Sequence, residues 1–587
     1  MGLLDNVRAN VTELTELLMN NRISPPLGDR TIAKLKVGLI VDSEFVSKYV
    51  YELAEWGQLQ SDLSIAYLIL QRRENIERGK VSHALNILKN KGLNEPLKLI
   101  LWTLIYNVEM RKLRGTIYKD HFRLYDLNKV ISNSLVIQPR VSDNGLGYHL
   151  SKDDVDKVRS LNLDLLIKCS SDILRGDILR AARLGIISFD YADYRLDRDA
   201  PGFWEVHSEQ EKTGFMIQQI AEELDGRNIL IRGAFPTQNY YLLNQAQLYT
   251  RSNFYMRRLL TKIAQYGNLP AQGESLPYFN RLLRAPEPST QIKYISSHIY
   301  RKVRKVVTGR LLRKTERWGV AFCRTNWRNL VMWRAIKIEP LLNHCVADPF
   351  VITESNRDYC FAEDYDYNRS KGCISVYELK EKSALRLGEA ISESFHMSFP
   401  YLFRFNSKIY MVPETSANKE IRLYECVNFP LEWRLCKVLM SGISAVDTMI
   451  FEYKGDWWLF TNINLSDTAN EHCSELSIFY SETPLTDDWK PHLKNPIYID
   501  PSKARNAGIL FDKGEVYRVN QRQGFRQYGK GVSINRISVL NCESYEEVTV
   551  CSVEPSFFEN LKGTHHLHCD GNISVFDYFS ETSRGSR

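Results

Sequence analysis

Four aspartates, Asp190, Asp193, Asp197 and Asp199, crowd into "GIISFDYADYRLDRDAPGFWEV" directly behind a short apolar run. Carboxylates this close on a strand-end loop suit a hydrated divalent cation with a sugar-nucleotide diphosphate, because hard cations take clustered oxygen ligands. The plainer alternative is a solvated acidic loop paired with Arg183, Arg195 and Arg198. Asp225 stands before Gly226, as in a turn, so it has a structural reading beside a functional one. A second set of chemistry-bearing residues lies far downstream, in "ADPF", "VPET", "VDTMIF", "ARNAG" and "GTHHLHCD".

Two textures of chain must position these groups. From Lys34 to Asn253, apolar runs such as "KLKVGLIV", "SIAYLIL" and "LDLLIKC" alternate with helical patterns, including one over Phe45–Leu59. That alternation opens a parallel α/β sheet. From Arg317 short aromatic and β-branched runs recur with turn signals between them, in five segments of shared form. The second and third carry extensions with Trp433 and Trp489 in equivalent places, and four strands per repeat is the period of a propeller blade. The expected order is an N-terminal helix (1–33), an α/β domain (34–253), a helical basic linker (254–316), an all-β five-bladed propeller (317–580) and a tail (581–587).

Composition narrows the field. The 587 residues are enough for several cores. A net charge of +7 does not by itself select nucleic acid, and no nucleic-acid partner is expected. Eleven cysteines without a CxxC pair read as reduced thiols, and no metal site of cysteines is expected. The absence of a signal-like start or a long apolar span predicts a cytoplasmic protein. Residues 300–317, with eight basic residues among valines and leucines, read either as a solvated connector or as a basic amphipathic helix at the inner face of an anionic membrane. No P-loop, GxGxxG or Ser-His-Asp pattern is present.

"DLLIKCSSDILRGDILRAARLGIISFDYADYR" and "KTGFMIQQIAEELDGRNIL" resemble the formyltransferase family, in which 10-formyltetrahydrofolate donates a formyl group to an amine. The resemblance implies a Rossmann-type α/β domain over roughly 36–250. Thr213, Gly214 and Asp225 fall where the family has its Thr-Gly and late catalytic Asp, and Ser188 and Asp190 stand where it has Asn and His. A carboxylate at the His position would repel a developing oxyanion, so folate chemistry is not favoured. The expected catalytic set is Ser188, Asp190, Asp193 and Asp225.

The repeats from Arg317 resemble the propellers of certain glycoside hydrolases and, more closely, the N-terminal region of plant glucosamine inositolphosphorylceramide transferases. That resemblance implies that the blade-entry residues Asp348 and Asp447 face the axis. Glu414, Arg505, Asn506 and His566 are expected to join them in holding a saccharide, with His565 and His568 nearby and Trp457 and Trp458 in packing. The favoured reading is a carbohydrate-active transferase handling a saccharide, sugar nucleotide or glycolipid. A sugar N-formyltransferase and a non-catalytic glycan-binding protein are the alternatives.

Overall fold

A computed structural model describes residues 34–72, 94–141, 148–170, 173–191, 200–221, 228–270, 285–307, 314–466 and 471–583. The chain divides into two compact units, with the boundary at Arg301 and Lys302. Asp193 and Asp225, with Arg195, Asp197, Arg198 and Asp199, lie outside the described residues. So do the N-terminal segment 1–33 and part of the basic segment 300–317.

The first unit is built on a seven-stranded sheet. Its strands are β1 (Leu35–Val41), β2 (Leu63–Gln71), β3 (Ser134–Ile137), β4 (Leu165–Lys168), β5 (Ile186–Asp190), β6 (Lys212–Gln219) and β7 (Asn228–Pro236). They lie in the order β7-β6-β5-β4-β1-β2-β3. The five from β5 to β3 are parallel, and β6 and β7 add an antiparallel hairpin at one edge. Leu165, Leu166, Ile167, Ile186 and Ile187 are fully buried, as continuous apolar strands covered on both faces must be. Helix α1 is shorter than the helical pattern over Phe45–Leu59 suggests. Residues Phe45–Ser47 pair with Leu124–Asp126 as a small ladder, and α1 runs from Lys48 to Gln58. The longest helices that follow are α2 (Asn94–Leu113), α3 (Tyr241–Tyr266) and α4 (Pro288–Val306).

The second unit is a ring of five antiparallel sheets. Four are continuous in sequence, and their innermost strands are β8 (His344–Glu354), β9 (Ser398–Phe405), β10 (Ala445–Tyr453) and β11 (Asn506–Asp512). The fifth is composite: its inner strand β12 (Leu567–Asp570) pairs with Ile573–Ser583, which in turn pairs with Lys314–Cys323 from the start of the unit. Each inner strand packs on the next, and β12 packs on β8, so the ring closes and each blade keeps only short edges. The inner hairpins of the first four blades turn through two left-handed residues: Ser355-Asn356, Asn406-Ser407, Lys454-Gly455 and Lys513-Gly514. That is the twist-matched two-residue turn that fixes register, and hence which side chains face inward. A single apolar core runs through the first four blades, from Phe350 and Phe361 to Trp458, Ile509 and Ile537.

The tightest approach between blades is at Gly508, which has φ +127° and no room for a side chain: a Cβ there would overlap the Leu567 carbonyl of β12. Gly508→Ala is expected to lower stability by about 2 kcal/mol or more and to lower Tm measured by calorimetry. An unchanged Tm would mean that the two blades do not meet there.

Candidate functional site

The inner strands share one irregularity. Each of β8 to β11 breaks register at its entry, at Ala347/Phe350, Ser398/Tyr401, Val446/Met449 and Asn506/Gly508. At the break stand Asp348 (φ +49°), Phe399 (φ +46°), Asp447 (φ +51°) and Gly508. A left-handed non-glycine residue costs on the order of 1–3 kcal/mol and persists only where its surroundings hold it. Bulges of this kind re-aim side chains. Across each hairpin, in register with the residue before the break, stand Glu363, Glu414, Asn462 and Asn520. Two blades therefore present carboxyls at this level and two present amides.

The composite blade supplies the counter-charge. His565 Nε2 lies 3.0 Å from Asp348 Oδ1, and its Nδ1 lies 2.6 Å from Asp577 Oδ2, an ion-pair contact off hydrogen-bond alignment. The other Asp577 oxygen accepts the backbone N–H groups of His565 and His566 at 2.8 and 3.0 Å. Trp318 and Tyr528 flank the imidazole, with centroids at 4.0 and 5.2 Å. Gly529 (φ +64°) lets the chain pass, since a Cβ there would sit 2.8 Å from His565 and 2.9 Å from Trp318.

Burial alone would depress the imidazole, yet the carboxylates of Asp577 and Asp348 override it and push His565 up to about 10. Burial would raise Asp348; the charge of His565 instead draws it down to about 2. Both are therefore ionised at neutral pH.

Asp447 is held differently. Arg505 Nε donates to its Oδ2 at 2.5 Å and Nη2 to its Oδ1 at 3.5 Å, and the guanidinium lies 5.1 Å from the Tyr528 ring centroid. Burial raises Asp447; Arg505 opposes it, Glu414 and Asp348 add repulsion, and it settles at about 7. Ser416 Oγ donates to Glu414 at 2.7 Å and Ser398 Oγ at 3.3 Å, and burial raises the carboxyl against the pull of Arg505. Glu363 is raised furthest, by burial and then by the charges of Asp348 and Glu414, with His396 Nε2 at 3.6 Å. The site thus holds ionised Asp348 beside carboxyls whose proton affinity burial and neighbouring charge raise. Such a pattern can accept and donate hydrogen bonds to several hydroxyls at once, or move a proton between them.

Asp348, His565 and Asp577 offer ligand atoms within 4.8 Å of one another, the one such metal-capable cluster among the described residues. The bridging imidazolium already supplies the positive charge there, and a cation could enter only in exchange for its Nε2 proton.

The expected residues divide. Asp348, Glu414, Asp447 and Arg505 come together. Asn506 does not present itself to a ligand: its Nδ2 donates to the Asp447 carbonyl at 2.9 Å, its N–H to Asn462 Oδ1 at 2.9 Å, and its Oδ1 accepts from Arg518 at 3.3 Å. It is a tie between blades. His566 is fully buried, its ring 4.5 Å from Phe350 and 5.2 Å from Phe399, and burial drops it to about 3, a neutral core residue. His568 Nδ1 accepts the Val351 N–H at 3.2 Å, fastening the composite blade to the first. Trp457 packs on Phe403 and Phe405.

In the α/β unit, Ser188 is buried and Asp190 ends β5, with Gln218 Nε2 3.5 Å from its Oδ2. Thr213 is consumed by Thr237 and Asn244 at 3.0 and 3.2 Å. Beside Asp190 the rings of Tyr49, Phe189, Tyr191 and Tyr249 pack together, Tyr191 and Tyr249 at 4.0 Å. Sequence reasoning missed Glu363, Asp577, Trp318 and Tyr528. Glu363 was findable, because it follows Asp348 by the same interval at which Glu414 follows Phe399.

The ion pairs dictate a pH dependence. A histidine raised to about 10 contributes stability that is complete below its unfolded value near 6.5 and is lost as pH rises through 10. The lowered Asp348 contributes above about 4 and loses that contribution as pH falls through 2. Tm measured from pH 7 to 10 is expected to fall in the wild type. In His565→Gln it should start lower, by about 3 kcal/mol or more of stability, and fall less over that range. Parallel curves would mean that His565 is not charged in the fold.

Comparison with known proteins gives a match over residues 333–569 to the family model "Glucosamine inositolphosphorylceramide transferase 1, N-terminal". The glucosamine inositolphosphorylceramide transferase 1 of Arabidopsis thaliana is 38% identical over 216 residues, covering 36% of this chain and 28% of that protein. Its counterpart in Oryza sativa subsp. japonica is 38% identical over 210 residues, 35% of this chain and 28% of that protein. The match thus spans little more than a quarter of these relatives, and the family model leaves residues 34–253 outside it. Among solved structures, the catalytic domain of a Coprinopsis cinerea GH62 α-L-arabinofuranosidase aligns with TM-score 0.32 and 11% identity, over 41% of this chain and 92% of its own. Zg3597, a family 117 glycoside hydrolase of Zobellia galactanivorans, aligns with TM-score 0.30 and 10% identity, over 46% and 92%. Homology is therefore carried by the propeller, which is similar to the N-terminal region of plant glucosamine inositolphosphorylceramide transferases.

Proposed function

We propose that this is a carbohydrate-active protein of glycan or glycolipid assembly, in which the axial site of the propeller holds the saccharide and the α/β unit carries glycosyl or group transfer. The observation that carries the proposal is the meeting of Asp348 and Asp447, which two left-handed bulges aim inward, with Glu414 and Arg505 from two other parts of the sequence. Ionised Asp348 accepts from sugar hydroxyls, and Glu414 and Glu363, whose proton affinity burial raises, stand beside it as further partners. Tyr528, 43% exposed, offers a ring face beside them. The plant relatives support the chemical class, since both are named glucosamine inositolphosphorylceramide transferases.

Folate is not part of the proposal. A formyl donor needs a base and an oxyanion donor where Ser188 and Asp190 stand, and the rings of Phe189 and Tyr191 flank Asp190. Calorimetry with a folate analogue is expected to show no micromolar binding. Tight binding, with formyl transfer abolished by Asp190→Ala, would replace this reading with a sugar N-formyltransferase.

Asp348→Asn and Asp447→Asn keep the side-chain shape and remove the charge. A hydrogen bond to a charged acceptor is worth about 1.5–3 kcal/mol, so each variant should weaken saccharide binding about tenfold or more on a glycan array and by calorimetry. Asp447→Asn takes the charged partner from buried Arg505, so its Tm is expected to fall, and binding is to be measured well below that Tm. No saccharide binding by the wild type would end the proposal.

A further inference from the structure

The outer face of α4 has features that the saccharide site does not use. As far as Arg301, where the boundary between the units falls, the inner face of the helix is pinned to the α/β unit. Tyr294 Oη donates to Glu109 at 2.5 Å and accepts the Tyr241 N–H at 3.0 Å, His298 Nε2 lies 3.0 Å from the Asn239 carbonyl, and Arg301 pairs with Glu209. These contacts fix which side of the helix faces away. On that side stand Ile292, Ile299, Val303 and Val306, exposed by 51, 59, 55 and 47%. Their spacing of seven, four and three residues makes one stripe of an α-helix, about 21 Å long at 1.5 Å per residue. Tyr300 lies at its margin, 65% exposed. Exposed lysines and an arginine border the stripe: Lys293 and Arg304 on one flank, Lys302 and Lys305 on the other.

An aliphatic stripe turned to water is unfavourable by the same burial that drives folding, and monomeric proteins seldom leave one uncovered. Its border selects the occupant. A second copy of this helix would bring four cations against four, whereas an anionic lipid surface takes the aliphatic stripe into its acyl boundary and the flanking cations onto its phosphates. No described helix is long and apolar enough to cross a membrane, so the contact would lie along the surface.

We infer that α4 is an interfacial helix that docks the protein on an anionic membrane surface through Ile292, Ile299, Val303 and Val306. The inference is independent of the axial site, because docking needs no saccharide.

Sedimentation of the full-length protein with vesicles tests it. At low salt the wild type should partition onto phosphatidylcholine–phosphatidylglycerol vesicles at least about tenfold more than onto phosphatidylcholine alone, and added salt should release it. Ile299→Asp with Val303→Asp should abolish partition with unchanged circular dichroism and Tm, since both side chains are exposed. Lys302→Glu with Lys305→Glu should lower partition at least about tenfold on the anionic vesicles only. A wild type that stays in the supernatant overturns the inference. So does a charge-reversed variant that binds as well as the wild type, or sedimentation velocity showing that the stripe instead joins two copies that the Asp variant separates.

Discussion

The carboxylate–imidazolium–carboxylate row of Asp348, His565 and Asp577 is the interaction on which the propeller's centre depends. It joins the first blade to the last, where the ring must be closed by strands from opposite ends of the unit. Each member is buried, so each would be costly alone. Together they satisfy one another, and Asp577 is anchored further by two backbone N–H groups. Buried ion pairs of this kind seldom add net stability over a well-packed apolar set, while breaking one is expensive. The row therefore fixes the arrangement of the first and last blades more than it adds to their net stability.

The ring around it is uneven. In the first two blades the residues across from the bulges are Glu363 and Glu414; in the next two they are Asn462 and Asn520. The amides are spent inside the protein. Asn462 Nδ2 donates to the carbonyls of Glu475 and Ala504, and Asn520 Nδ2 to that of Ser502, each at 2.9 Å. With Asn506 and Arg518 they tie blades three and four together. The carboxyls are not spent in this way: Ser398 and Ser416 donate to Glu414, and burial with the neighbouring carboxylates raises Glu363. Polar groups at one level of the fold thus divide between structure and chemistry according to which blade carries them.

Much of this is legible in the sequence, and the failures have physical causes. The repeats and the entry aspartates can be read because the inner strands of the first four blades share the same bulge and turn. Asn506 misleads because in "ARNAG" the left-handed position falls to Gly508, so the asparagine precedes the bulge and points into the blade contact. His566 misleads because three histidines in four positions look alike until the chain entering β12 sends one to the carboxylates, one to the core and one to the Val351 N–H. Asp577 cannot be recognised from "SVFDYF" alone, since its partners are brought to it only by ring closure. In the α/β unit the apolar runs foretell the parallel sheet, while the ladder of Phe45–Ser47 with Leu124–Asp126 is a long-range pairing that helical periodicity conceals.

The central claim is that the acidic level of the ring, organised by His565, is a saccharide site. A crystal structure of the full-length protein grown with the saccharide it binds most tightly tests that claim most directly. The account predicts sugar hydroxyls within hydrogen-bonding distance of Asp348 and of Glu414 or Asp447, with a ring face against Tyr528. A sugar seated elsewhere, with the Asp348–His565–Asp577 row untouched and closed to it, would contradict the account and leave the row a structural clasp.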